Sequence, residues 1–285
     1  MTRQPLVARR AEQLLGTPVV STAPVAGGDV TTATKLRFND GSQALMKTLP
    51  HCPENFFPRE AYGLRWLAET DGVAVPEVLA VEAECLVLRW VEPGRPSMDA
   101  AEDLGHALAV THRAGAPGWG DDEDGFIGKL PLINRPAETW AEFYTSRRLL
   151  PYLKVAADRG AIEPADVESI ESLVAKLPGL LPDEPPARLH GDLWAGNVIW
   201  GADGTAWLVD PAVYGGHREV DLVMLALFGL PYLERVQDAY HDEYPFADGW
   251  EERLGLHQLF PLLVHACLYG GGYGHRAADV ARRYL

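Results

Sequence analysis

The chain has 285 residues, of which 47% are hydrophobic and 23% charged, and its net charge at pH 7 is −15. This composition is that of an ordinary globular protein, and the length suits one large domain or two lobes that share a cleft. The acidic balance argues against a nucleic-acid-binding protein, which would present a basic face, and against an anionic membrane surface as a partner.

The three cysteines, Cys52, Cys85 and Cys267, are far apart and lack the spacing of metal ligands. An odd number of scattered cysteines predicts reduced thiols, as in an intracellular protein. The first residues lack an apolar signal core, and no stretch reaches the length of a membrane span. We therefore expect a cytoplasmic protein without a membrane partner. We also expect a monomer.

The first third of the chain has the pattern of a small sheet. Asn39-Asp40-Gly41, between two runs with strand character, is a strong hairpin signal, and Pro58 lies near the start of a helical pattern. In chain order, the expected elements are a helix at 6–15, strands between 19 and 49, a helix at 60–67, and strands at 78–82 and 85–90.

The run Glu92-Pro93-Gly94-Arg95-Pro96 breaks this pattern and is the best boundary in the chain. Helical patterns dominate after it, at 98–114, 137–150, 164–177, 219–229, 231–240, 250–271 and 276–284, and only a hairpin at residues 197–209 is expected to interrupt them. We therefore predict an α+β, two-lobed fold in which a β-rich lobe, residues 1–91, packs on a larger, mainly helical lobe, residues 92–285. Ligand sites favour such clefts between lobes.

One segment of the second lobe has the layout of a kinase-like phosphoryl-transfer site. Asp192 is followed by Asn197 and, after a predicted hairpin with its turn at residues 201–204, by Asp210. Asp192 is placed to orient and deprotonate an attacking hydroxyl. Asn197 and Asp210 offer the oxygen ligands that Mg²⁺ prefers when it holds nucleotide phosphates. The alternative is a surface loop with ordinary turn residues, but the complete series is specific.

The first lobe should then supply a phosphate-covering turn and a cation for ATP. Gly27 and Gly28 lie between two predicted strands, where glycines let backbone N–H groups approach phosphate oxygens, although an ordinary hairpin turn is as good an interpretation. Lys47 ends a strand and is expected to contact the phosphates. Glu60 on the next helix is its expected partner, with Glu54 as the alternative.

The segment around Arg89 and Val91, just before the break, is expected to run past the adenine, where its backbone would hydrogen-bond the purine edge. Trp90 between them is expected either there or in the core.

Several residues near the motif have two interpretations. Trp194 would either contact the acceptor or pack the loop. His190 is expected to brace the loop, and Asp221 either to brace it or to cap a helix. His217 and Glu219 are expected near the mouth of the cleft, where Glu219 would meet a substrate ammonium or form a surface ion pair. The acidic run at residues 121–124 is expected to be a solvated loop.

From about residue 20 onward the chain resembles the fructosamine kinases, also called ketosamine 3-kinases, a family with the fold of protein kinases and aminoglycoside phosphotransferases. The most specific matches are Leu189-His190-Gly191-Asp192-Leu193-Trp194-Ala195-Gly196-Asn197 and the segment 210–222, which begins Asp210-Pro211-Ala212. Supporting matches are Gly27-Gly28-Asp29-Val30, Phe126-Ile127-Gly128 with Asn134, Trp140 with Phe143, and Leu259-Phe260-Pro261-Leu262-Leu263.

The resemblance implies an enzyme that uses ATP and Mg²⁺ to phosphorylate the 3-hydroxyl of a ketosamine, on a free amine or on a glycated protein lysine. The unstable product would release the amine, so the implied role is deglycation. By the match, Asp192 is the base, Asn197 and Asp210 hold Mg²⁺, and Lys47 with Glu60 binds phosphate. Two alternatives remain: a small-molecule kinase for aminoglycosides, choline or homoserine, and a nucleotide-binding scaffold without catalysis.

Overall fold

The computed structural model of the chain describes residues 6–26 and 30–285. Its first part is a five-stranded antiparallel sheet with the strand order β1-β2-β3-β5-β4. The strands are β1 (Val19–Val25), β2 (Thr32–Phe38), β3 (Gln43–Thr48), β4 (Val78–Glu82) and β5 (Cys85–Arg89). The turn predicted at Asn39-Asp40-Gly41 joins β2 to β3, and Gly41 has the positive φ of 88° that such turns need.

Two helices cover opposite faces of this sheet. Helix α1 (Leu6–Leu15) packs on the face that includes Met46, whereas helix α2 (Phe56–Ala68) packs on the face that includes Leu86 and Leu88. Because successive side chains of a strand point to opposite faces, Lys47 points toward α2 when Met46 points toward α1. This alternation directs the predicted cation toward the helix that carries Glu60.

The rest of the chain is mainly helical, as predicted. Its helices are α3 (Met98–Arg113), α4 (Trp140–Phe143), α5 (Leu150–Asp158), α6 (Pro164–Val174), α7 (Glu219–Phe228), α8 (Leu233–Glu243), α9 (Trp250–Tyr269) and α10 (Tyr273–Arg282). A π-helical turn over Tyr144–Leu149 joins α4 to α5, so the chain stays helical beyond residue 150, where the sequence pattern ended the predicted helix. Pro151 lies in the first turn of α5, where a proline is tolerated.

Three pairs of short strands interrupt the helices. They are β6 (Gly125–Ile127) with β7 (Leu130–Leu132), β8 (Ala187–Leu189) with β11 (Tyr214–Gly216), and β9 (Val198–Trp200) with β10 (Ala206–Leu208). The pair β9–β10 is the predicted hairpin. The expectation that this hairpin alone interrupts the helices is wrong, because strands of three residues are too short to leave a periodic pattern in the sequence.

The proline-glycine break itself lies along the predicted hairpin. Pro93 pairs with Gly201, and the N–H of Gly94 donates to the carbonyl of Trp200 at 2.6 Å. The division of the chain at residues 91 and 92 stays a prediction.

Nowhere in the described ranges does a helix combine the length and the hydrophobicity that crossing a membrane requires.

Candidate active site

The loop from His190 to Asn197 begins at the end of β8 and is held by a buried carboxylate. Asp221, which is fully buried at the start of α7, accepts hydrogen bonds from the backbone N–H groups of His190 at 2.7 Å and Gly191 at 2.9 Å. His112, also buried, lies with Nε2 3.2 Å from the same carboxylate. Of the two interpretations of Asp221, the geometry favours bracing of the loop.

His190 joins this loop to the segment that precedes Asp210. Its Nε2 lies 2.9 Å from the carbonyl of Val209, which can only accept, so this nitrogen carries the proton. Its Nδ1 then accepts from the backbone N–H of Asp192 at 3.3 Å. Burial lowers the pKa of His190. The ring is therefore placed as a neutral brace between the two segments.

Asp192 and Asn197 are neighbours in space. The side-chain amide of Asn197 donates to the backbone carbonyl of Asp192 at 2.8 Å and approaches its carboxylate Oδ2 at 3.3 Å. Burial, reinforced by the charge of Asp210, raises the pKa of Asp192 to about 7. A carboxylate with such a pKa can take up a proton near neutral pH.

Lys47 lies between two carboxylates, one from each lobe. Its Nζ lies 2.6 Å from Glu60 Oε1 and 2.9 Å from Asp210 Oδ1. The predicted partner Glu60 is thus the one in contact, and the alternative Glu54 is exposed. Burial alone would lower the pKa of Lys47, but the charges of Asp210 and Glu60 outweigh this effect and raise the pKa. Burial raises the pKa of Glu60.

These groups surround one cleft with a volume of about 720 Å³. Its polar part includes Lys47, Glu60, Asp192, Asn197 and Asp210. The structure therefore brings together the catalytic, metal and cation candidates, which come from three separate stretches of the sequence.

Part of the lining of the cleft is aromatic. We call the five residues Trp194, Phe228, His265, Tyr269 and Tyr273 the aromatic wall. The centre of the Phe228 ring lies 6.1 Å from the ring centre of Trp194 and 4.5 Å from that of His265. The ring centres of His265 and Tyr269 are 5.5 Å apart. The sequence prediction included only Trp194 among these. His265 and Tyr269 are four residues apart in a predicted helix, and this spacing could have indicated that their side chains share one face of it.

Two of the remaining nucleotide candidates line another cavity, and two fall outside the described residues. Arg89 and Val91 line a second cavity of about 390 Å³ with Trp90. Gly27 and Gly28 fall outside the described residues, whereas Val30 and Thr31, which follow them, line the cleft.

The prediction that His217 and Glu219 lie near the mouth of the cleft is wrong. Neither lines the cleft; they are buried, with exposed fractions of 0% and 1%. Glu219 is paired with Arg253 at 2.7 Å and with His257 Nδ1 at 3.1 Å, and His217 stacks on His257. The sequence interpretation failed because Glu219 lies at the start of a helix, where a charged side chain is usually exposed. Its partners are about 35 residues further along the chain, and the sequence does not show this contact.

The comparisons with known proteins assign the fold and the family. The family model described as fructosamine kinase matches residues 4–285. The chain belongs to the fructosamine kinase family. The predicted family membership and the predicted phosphotransferase class are thereby confirmed.

Three relatives illustrate the match to this family. A crystal structure of a Thermobifida fusca protein, provisionally named fructosamine-3-kinase, has a TM-score of 0.93 and 47% identity, with 97% of each chain covered. A probable ketoamine kinase of Lactiplantibacillus plantarum is 34% identical, over 95% of this chain and 97% of the relative. A chloroplastic protein-ribulosamine 3-kinase of Arabidopsis thaliana is 31% identical, over 94% of this chain and 84% of the relative.

A more distant neighbour carries the fold alone. The crystal structure of choline kinase LicA from Streptococcus pneumoniae has a TM-score of 0.64 at 18% identity, with 98% of each chain covered. The predicted two-lobed, kinase-like fold of the family is confirmed.

Proposed function

We propose that this protein is a kinase that uses ATP and Mg²⁺ to phosphorylate the 3-hydroxyl of ketosamines, and so promotes their deglycation. One observation carries the proposal: in a member of the fructosamine kinase family, Lys47 with Glu60, Asp192, Asn197 and Asp210 surround a single cleft. The name of the Arabidopsis relative favours a ribulosamine carried by a protein. A ketosamine on a free amine is the alternative acceptor.

Asp192 is the group that we propose to act on the acceptor. Its carboxylate accepts the proton of the sugar hydroxyl while that oxygen forms a bond to the γ-phosphorus of ATP. The bond from phosphorus to the oxygen of ADP breaks in the same transfer. The raised pKa of Asp192, about 7, supports the role, because a base with a pKa near the working pH is most effective.

The residues present fit a nucleotide with its metal ion. The amide of Asn197 uses its nitrogen toward Asp192, which leaves its oxygen for a metal, and Lys47 contacts only one of the two oxygens of Asp210. Two such oxygen donors suit Mg²⁺. When bound, this ion neutralises charge on the phosphates. We assign the ammonium of Lys47 to the phosphates, Gly27 and Gly28 to the covering turn, and the backbone at Arg89 and Val91 to the adenine.

We propose that the acceptor lies against the aromatic wall. Trp194 is two residues from Asp192, and 39% of its surface is exposed, so its ring is accessible to a ligand. The ring faces can pack on the apolar face of a sugar and attract the ammonium of its amine. Such recognition does not need a carboxylate like that of Glu219.

The three free cysteines and the acidic charge support a cytoplasmic protein, and we keep the monomer as our proposal.

The experiment that tests this function is ATP turnover by the purified protein with and without ribuloselysine, beside an aminoglycoside, choline and homoserine as acceptors. We expect turnover only with the ketosamine. Turnover with one of the other acceptors would favour a small-molecule kinase of another type, and nucleotide binding without turnover would favour a scaffold. The variant Asp192→Ala should bind ATP but lose turnover, and substantial activity in it would reject the assignment of the base.

A further inference from the structure

The residue that precedes Glu60 in helix α2 binds the other lobe. Arg59 Nη2 donates to Asp121 Oδ2, and Arg59 Nη1 lies 3.7 Å from Glu123 Oε2. Only 9% of the Arg59 side chain and 16% of the Asp121 side chain are exposed. The pair is therefore shielded, unlike an exposed surface ion pair, which contributes little. The expectation that the acidic run is a solvated loop is wrong for Asp121.

The loop that carries Asp121 is tied to the core of the helical lobe. The backbone N–H of Asp121 donates to the carbonyl of Asn134 at 2.8 Å, and the amide nitrogen of Asn134 donates to the carbonyl of Glu123 at 3.2 Å. Arg148, whose side chain is fully buried, donates to Asn134 Oδ1 at 2.6 Å. Arg59 thus binds a fixed point of the helical lobe.

A second arginine holds the same face of α2 further along. The guanidinium of Arg59 lies over Tyr62, with its carbon 4.5 Å from the ring centre, and Tyr62 stacks on Trp66. Arg188 of β8 lies over the other ring, 4.5 Å from the centre of Trp66, and donates to the Trp66 carbonyl at 2.5 Å. Residues three and four apart share one face of a helix, so this face of α2 is held at both ends.

The two neighbours Arg59 and Glu60 point in different directions. Consecutive residues are about 100° apart around a helix. Arg59 therefore reaches the helical lobe while Glu60 reaches Lys47 of the sheet. A rotation or shift of α2 that breaks the first contact also moves the second.

We propose that Arg59 and Asp121 are positioning residues for phosphoryl transfer. Their ion pair fixes α2 on the helical lobe, and so holds Glu60 where it directs Lys47 toward Asp210 and the nucleotide phosphates. Arg59 also lines the cleft, but both of its terminal nitrogens face carboxylates of the helical lobe, so we assign its effect to Glu60 rather than to a contact with the substrate. This inference rests on the proposed function, because it assumes that Lys47 binds nucleotide.

A double-mutant cycle with Glu60→Gln tests the proposal. The first variant is Asp121→Asn, which removes the charge that Arg59 binds. The matched control is Asp122→Asn, which removes one charge from the next residue of the same run, where the side chain is exposed. Two quantities are measured in each background: kcat/KM for MgATP, and the dissociation constant of MgATP by calorimetry without an acceptor.

Asp121→Asn should lower kcat/KM for MgATP about tenfold, and Asp122→Asn by less than about twofold. In the Glu60→Gln background, Asp121→Asn should add less than about twofold, because residues that act through one another are not additive. An equal loss in both backgrounds would indicate a general effect on the fold and overturn the proposal. No loss in the single variant would also overturn it.

Two further measurements keep the test decisive. If Asp121→Asn does not fold, Arg59→Lys, which keeps the charge but loses the planar fork, takes its place in the cycle. If the wild-type protein binds MgATP but phosphorylates no ketosamine, the proposed function fails. The cycle on the dissociation constant then still decides the role of Arg59.

Discussion

Replacing Asp192 by asparagine should stabilise the protein in the absence of nucleotide and Mg²⁺, although it removes the proposed base. The folded chain raises the pKa of this carboxyl from 3.8 to about 7, chiefly by burial. Well below pH 3.8 the group is protonated in the folded and the unfolded states alike. As the pH rises toward 7, the unfolded state releases this proton first, so the stability of the wild-type protein decreases. Asparagine has no proton to release and escapes this decrease.

The size of the effect follows from the shift. Each pH unit between the two pKa values is worth about 1.4 kcal/mol, so the interval from pH 5 to pH 7 corresponds to about 3 kcal/mol at most. Solvent in the cleft screens the charge, so we expect roughly 1 to 3 kcal/mol. The stabilisation by Asp192→Asn should therefore be larger at pH 8 than at pH 5 by this amount.

Urea unfolding of the wild-type protein and the variant at pH 5 and pH 8 measures the difference, provided that the slope of the transition is unchanged. Asp203→Asn, in the turn after β9, is a control for the loss of one exposed carboxylate. If the gain from Asp192→Asn is the same at both pH values, Asp192 does not titrate near neutral pH, and the reasoning fails.

Two further predictions concern the same loop and the metal site. Gly191→Ala should abolish turnover and destabilise the fold, because Gly191 has a φ of +82° and an added Cβ would lie 2.1 Å from the carbonyl oxygen of Ala212. The control is Gly204→Ala, where φ is +85° but no atom lies within 4 Å of the added Cβ. This variant should lower the free energy of unfolding by only about 1 kcal/mol, and equal effects of the two variants would contradict the prediction. Asp210→Asn should raise the dissociation constant of MgATP about tenfold or more, since it removes a proposed metal ligand and a partner of Lys47; an unchanged titration would refute the role.

Local signals in the sequence predicted the elements that carry the site. The turn at Asn39-Asp40-Gly41 and the hairpin between Asn197 and Asp210 have signatures within a few residues, so both were predicted with the correct pairing. The contact between Lys47 and Glu60 was predicted from chemistry, because the phosphoryl-transfer motif required a cation with a carboxylate partner.

Features that depend on distant contacts could not be predicted in this way. Strands β8 and β11 each have three residues and pair across the whole catalytic loop and the hairpin. The burial of Glu219 depends on Arg253 and His257, which belong to another helix. The pairing of Arg59 with Asp121 likewise joins two lobes, and charge alone suggested a solvated run.

The most direct test of the proposed function is the position of phosphate on the product. The purified protein is incubated with MgATP and ribuloselysine, and the product is analysed by phosphorus and proton nuclear magnetic resonance, with free lysine measured over time. We predict phosphate on the 3-hydroxyl of the sugar, followed by release of lysine. Phosphate on another hydroxyl, or the absence of any phosphorylated ketosamine, would contradict the proposed function.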